Sequence, residues 1–274
     1  MGRRVLARRK KRAASKSSGA ISFKHPPLDE VVCGVRFNPP LDLKIPLLGL
    51  LWEKVRRTHP TIEQQPPIAP GGALVTDTTT GLPIPRLWFI NKTDDELIQV
   101  QRDLLYFNWR RRGDEYPRIG RVFDGFNMAF EKLNELVQEQ EIAPVVIAGQ
   151  ELTYINQIPQ GEAWKEFSDL GKLFPHLANT TARTRFLPIP TSVSWQGRFA
   201  LPEGRGNLEA RLMPAMRKES GESILTFQLT ATCNESPESH DELHAWFRLA
   251  HEWIVNAFVD LTSEDVQRDL WGRQ

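Results

Sequence analysis

Polar and apolar residues alternate from Asp29 to Phe37, placing Val31, Cys33, Val35 and Phe37 on one face, as in a half-buried β-strand. Asn38-Pro-Pro ends that pattern. Leu48, Leu51, Trp52 and Val55 then recur at helical spacing in a predicted helix from about Pro46 to Thr58, with its proline confined to the first turn. The stretch from Pro66 to Pro85 is rich in Pro, Gly and Thr and reads as a long loop. Three short strands follow, Arg86 to Ile90, Leu97 to Gln101 and Leu104 to Trp109. A helix from Pro117 to Gln140 comes next, with Val122, Phe126, Phe130, Leu133 and Val137 on one stripe.

The same order begins again at Pro144. A strand is predicted from Val145 to Ile158, a short helix from Ala163 to Phe174, and strands over Val193 to Ala200, Leu208 to Met216 and Ile224 to Cys233. The last helix, Ser239 to Leu261, aligns Leu243, Phe247, Ala250, Ile254 and Phe258. Val31 and Val145 are 114 residues apart, and Pro117 and Ser239 are 122 apart, so an internal duplication is the economical reading. The predicted class is α+β: duplicated β-α-β(3–4)-α units forming one curved antiparallel sheet with helices on one face. This saddle is analogous in topology to the TATA-binding protein. Residues 1–22 read as a disordered basic arm, 23–142 as the first half and 143–274 as the second, packed together as one globular body.

The 274 residues are 40% hydrophobic and 25% charged, the composition of a chain that can build a packed core. Its longest apolar run, Ile45 to Trp52, is interrupted by Pro46 and Gly49 and is too short to span a bilayer, so no membrane partner is expected. The formal charge of +1 hides an asymmetry. Arg3, Arg4, Arg8, Arg9, Lys10, Lys11, Arg12 and Lys16 stand in the first 18 residues without one acid. That leaves 27 basic against 34 acidic residues in the rest, a net of −7. An acidic body argues against nucleic-acid attraction by the whole surface and makes any such contact local. The arm lacks the apolar core of a secretory signal, and Cys33 and Cys233 fall in predicted strands as small buried hydrophobes, so a cytoplasmic location is expected.

Several local strings resemble a sporadically distributed, uncharacterised bacterial protein family. They are Pro26-Pro-Leu-Asp-Glu-Val-Val32, Gln99-Val-Gln-Arg-Asp103 leading to Phe107-Asn108, Tyr116 with Phe123, Leu152-Thr-Tyr-Ile-Asn-Gln-Ile158, His251-Glu-Trp-Ile254 with Phe258, and Trp271-Gly272. The resemblance runs through nearly all of residues 24–274, with Thr153 departing from an arginine common in that family. It singles out Glu30, Asn108, Tyr154, Asn156 and His251 as pattern positions of unknown role. It implies no activity. The family's patchy distribution implies mobile-element or antiphage-defence neighbourhoods and a protein partner encoded nearby.

His240-Asp-Glu-Leu-His244 has the spacing that grips zinc on a helix, with Glu264 downstream, but Asp241 stands where a metallopeptidase needs Glu, and edge-of-core histidines explain His240, His244 and His251 equally well. No nucleophile elbow, phosphate loop or dinucleotide fingerprint is present. Trp109-Arg-Arg-Arg112 offers an aromatic plane with three guanidinium groups, suited to nucleic acid, but reads first as a charge-protected edge strand. No catalytic residue, metal ligand or cofactor is assigned. The expected function is a non-catalytic binding or accessory protein acting on a protein partner. The alternative is nonspecific nucleic-acid binding by the basic arm, assisted by Trp109, Arg110, Arg111 and Arg112.

Overall fold

The computed structural model describes residues 21–68, 76, 81, 84–113, 116–161, 163–181, 186–217 and 220–274. The arm cations Arg3 to Lys16 lie outside the described residues.

One nine-stranded antiparallel sheet organises the chain. Its strands are β1 (Leu28–Phe37), β2 (Thr61–Gln65), β3 (Arg86–Ile90), β4 (Glu96–Gln101), β5 (Leu104–Arg110), β6 (Ile147–Pro159), β7 (Trp195–Ala200), β8 (Asn207–Met216) and β9 (Ser223–Cys233). They lie in the order β2-β3-β4-β5-β1-β6-β9-β8-β7. The first strand of each meander therefore pairs with its last, β1 with β5 and β6 with β9, and the two meanders join along β1 and β6. Three longer helices pack on the sheet or on one another: α1 (Ile45–Val55) against β3 and α2, α2 (Arg118–Glu139) against β5 and β1, and, after two single-turn helices α3 (Leu170–Leu173) and α4 (Ala178–Thr181), α5 (His240–Leu261) against β9, β6 and β8.

Alternation decides which face is sealed. Val31, Cys33, Val35 and Phe37 join the apolar stripes of the helices in one continuous core, as their spacing predicts. Gly125 of α2 lets that helix settle on β5, because a Cβ there would lie 2.2 Å from the ring of Phe107. Ser239 caps α5 by accepting from the Glu242 amide at 3.2 Å, and Asp241 and Glu242 place negative charge in the first turn. Both cysteines are free and buried, and burial pushes the Cys33 thiol up.

The structure corrects the sequence reading in places. Strand β2 precedes the expected loop. The helix expected over Ala163 to Phe174 is a 3-10 turn, Phe167–Asp169, followed by the single turn of α3. There the Asp169 carboxylate accepts from the Lys165 and Glu166 amides, which delays the helix start, and Pro175 follows close behind. A short sixth helix, α6 (Glu264–Asp269), is capped by Ser263.

Candidate functional site

The register that buries Val31 and Cys33 turns the intervening residues to the opposite face, where Glu30 stands opposite Arg110, and Val32 opposite Asn108 and Thr153. That face is polar. Over β3, β4, β5 and β1 it holds a continuous hydrogen-bonded chain. Arg86 and the Trp88 indole donate to Gln99 Oε1 at 2.6 and 3.0 Å, Gln99 Nε2 donates to Asn108 Oδ1 at 2.7 Å, and Asn108 Nδ2 donates to Glu30 Oε1 at 2.5 Å. Such a chain fixes each amide in one orientation, and the buried Gln99 and Asn108 cost little because their polar atoms are satisfied within it. Burial raises the Glu30 pKa, and the Asn108 hydrogen bond and the Arg110 charge only partly oppose it.

Arg36, Arg86 and Arg110 each keep one buried guanidinium nitrogen without a hydrogen-bond acceptor. All three lie over aromatic rings on this face: Arg36 over Tyr106 at 5.6 Å, and Arg86 and Arg110 over the same Trp88 at 5.4 and 5.8 Å. The ring faces take the place of oxygen acceptors. Tyr106 lies flat on β1 because Gly34 has no side chain there: a Cβ would sit 2.0 Å from Tyr106 Cδ1. Ile68 covers Val32, Leu104 and Tyr106, held by two hydrogen bonds to Gln101 at 2.9 and 3.0 Å.

Over β6, β9 and β8 the same face presents Gln157, Thr226, Gln228, Thr230 and Thr232 beside the buried Thr153. Thr153 donates to Thr230 at 3.0 Å, and Gln228 Nε2 donates to the same Thr230 hydroxyl at 3.0 Å. Where β1, β6 and β9 begin or end, a groove of about 540 Å³ opens. Its floor is a second chain: Gln157 donates to Asp29 at 2.7 Å and accepts from Arg217 at 3.2 Å, and Arg217 donates to Glu222 at 2.7 Å. Pro26, Leu28, Ile158 and Trp271 form apolar walls.

Two residue pairs drawn from the family strings meet in space. Asn108 holds Glu30 on the polar face, while on the helix side the Tyr154 hydroxyl bridges Tyr116 at 3.0 Å and His251 Nδ1 at 2.9 Å. Asn156 donates to the Phe227 carbonyl at 3.0 Å. Burial lowers the His251 pKa and raises that of Tyr116 to about 12, so this chain is neutral near pH 7. Glu30 and His251 lie on opposite faces of the sheet, which prevents them from acting on one substrate.

The Trp109 to Arg112 string is dispersed. Trp109 is 3% exposed and packs edge-on against Tyr116, so its ring offers no plane to a base. Arg110 and Arg112 share Asp94, and Arg111 donates to the Pro26 carbonyl at 2.7 Å. β5 lies between β4 and β1, so edge protection is not the role of these charges. His240 and His244 have ring centroids 4.3 Å apart, and among the described residues no three His, Cys, Asp or Glu side chains gather as metal ligands. Arg36, Arg86, Trp88 and Tyr106 were missed by sequence reasoning. Their signal, the period-two spacing of Arg86 and Trp88, acquires meaning only once register places them beside Gln99 and Arg110. Among the described residues no helix is long and apolar enough to cross a membrane. No family model, curated protein or solved structure matches this chain.

Proposed function

We propose that the chain is a non-catalytic binding protein that engages a protein partner through the polar face of its sheet. The observation that carries this reading is the neutralisation of that face and its margin. Arg211 pairs with Glu209 at 2.7 Å, Arg217 with Glu222 at 2.7 Å, and Arg110 and Arg112 with Asp94. A polyphosphate has to displace those carboxylates, whereas a polypeptide surface of mixed donors and acceptors matches the threonine hydroxyls and glutamine amides directly.

The repeated strand order, with each first strand beside its last, supports reading residues 23–142 and 143–274 as duplicated halves of a saddle of the TATA-binding-protein kind. The family resemblance supports seeking the partner among the products of adjacent genes, in a defence or mobile-element setting and in the cytoplasm. The test is affinity capture from cells carrying the native gene neighbourhood. A neighbour-encoded protein is expected to co-purify with wild type and with Lys54→Ala on the helix side, and to be lost with Thr230→Arg. Retention of that protein by Thr230→Arg contradicts the reading.

A further inference from the structure

β7 is the outermost strand on its side of the sheet, and among the described residues its outer backbone groups pair with no other strand. Such an edge templates pairing with another chain unless charge, proline or a bulge blunts it. Each edge strand carries one exposed charge, Glu63 in β2 and Arg198 in β7, but the β2 edge is stopped further by Pro66 and Pro67 directly after the strand. β7 contains no proline, runs beside β8 without a register break, and leaves Phe199 40% exposed.

The sequence of β7, Trp-Gln-Gly-Arg-Phe-Ala, is complementary to itself in one register. Two copies related by a two-fold axis normal to the sheet pair residues of the same face, so the axis passes between a residue and its own copy. Centred on Gly197, Trp195 of each copy faces Phe199 of the other, and Gln196 faces Arg198. Centred on Arg198, two guanidinium groups oppose each other. Centred on Gln196, Trp195 faces a glycine. Only the Gly197 register combines aromatic pairs with amide–guanidinium pairs and avoids like charges, the cross-strand combinations that stabilise a sheet. The monomer is already arranged for it: the rings of Trp195 and Phe199 converge over Gly197, within 2.7 and 3.2 Å of where a Cβ would stand, so the axis gathers four aromatic rings. His176 lies against Trp195 with ring centroids 4.3 Å apart and planes tilted by 51°, and holds the indole in place.

We propose that the protein forms a homodimer by antiparallel β7–β7 pairing centred on Gly197, which joins two nine-stranded sheets into one and doubles the polar face. Sedimentation equilibrium of the full chain tests it. Wild type dimerises; Gln196→Arg, which sets arginine against Arg198, weakens the dimer by about tenfold or more, and Gln196→Glu, which sets a carboxylate there, tightens it several-fold. Gln196 is exposed, so both variants retain the fold, checked by unchanged circular dichroism. A wild type that remains monomeric at about 100 µM, or a dimer that the two substitutions do not shift in opposite directions, overturns the proposal.

Discussion

The Tyr154 hydroxyl meets His251 Nδ1 at 2.9 Å, tying the centre of β6 to α5 across the core. Both are buried or nearly so, and Tyr116 closes the chain from the start of α2. His251→Ala leaves a buried phenol with one partner fewer. It is expected to cost about 1–3 kcal/mol in urea denaturation, with partner capture unaffected. An unchanged midpoint with capture lost reassigns His251 to binding.

Acid weakens the fold through its buried histidines. Burial pushes the His59 pKa down to about 4 and lowers that of His251 as well. The folded pKa values lie below the unfolded one, so the unfolded chain takes up protons first. The stability is complete above the unfolded pKa near 6.5 and is lost as pH falls towards the folded values. For His59 alone the loss between pH 6.5 and 4 amounts to about 3 kcal/mol. Denaturation at pH 7 and pH 4.5 should show a smaller difference in His59→Gln than in wild type; an identical difference contradicts the assignment.

Glu30 has the opposite sign. Its folded pKa is raised, so the cost of a buried carboxylate appears as pH rises through that folded value. Glu30→Gln retains an acceptor for Asn108 and should stabilise the protein at pH 7 with little effect below pH 4. Asn108→Leu leaves the carboxylate without its amide donor and should destabilise by about 1–3 kcal/mol, measured by the same denaturation.

We propose that any affinity for nucleic acid resides in the arm. Its eight cations release counterions on binding phosphates, while Arg110 and Arg112 are held by Asp94 and Trp109 is buried. A fluorescence titration at low salt should lose its signal on deletion of residues 1–20 and change little on replacing Arg110 and Arg112 with alanine. Binding that survives the deletion at about 0.2 M salt contradicts this.

Much of this architecture is legible in one dimension because burial on one side imprints alternation. β1 and β9 announce themselves by their period-two apolar residues, and α2 and α5 by stripes at three and four. β2 does not, since its five residues are almost wholly exposed and Ile62 is its one large apolar side chain. α6 is too short to develop a stripe; only Ser263, followed by Glu264 and Asp265, marks its start. At the site, Glu30 and Asn108 stand out as polar residues inside strand patterns. The Trp88 ring with its two arginines does not, because it is assembled from β3 and β5, strands separated by β4, and only the register brings them together.

The most direct measurement places a photo-crosslinking residue at Gln228, in the middle of the polar face, and another at Glu252 on the outer side of α5, in cells that carry the native gene neighbourhood. Binding through the polar face predicts one discrete heavier adduct with a protein partner from position 228 and none from 252. An adduct from 252 alone, or a 228 adduct with nucleic acid in place of protein, contradicts the account.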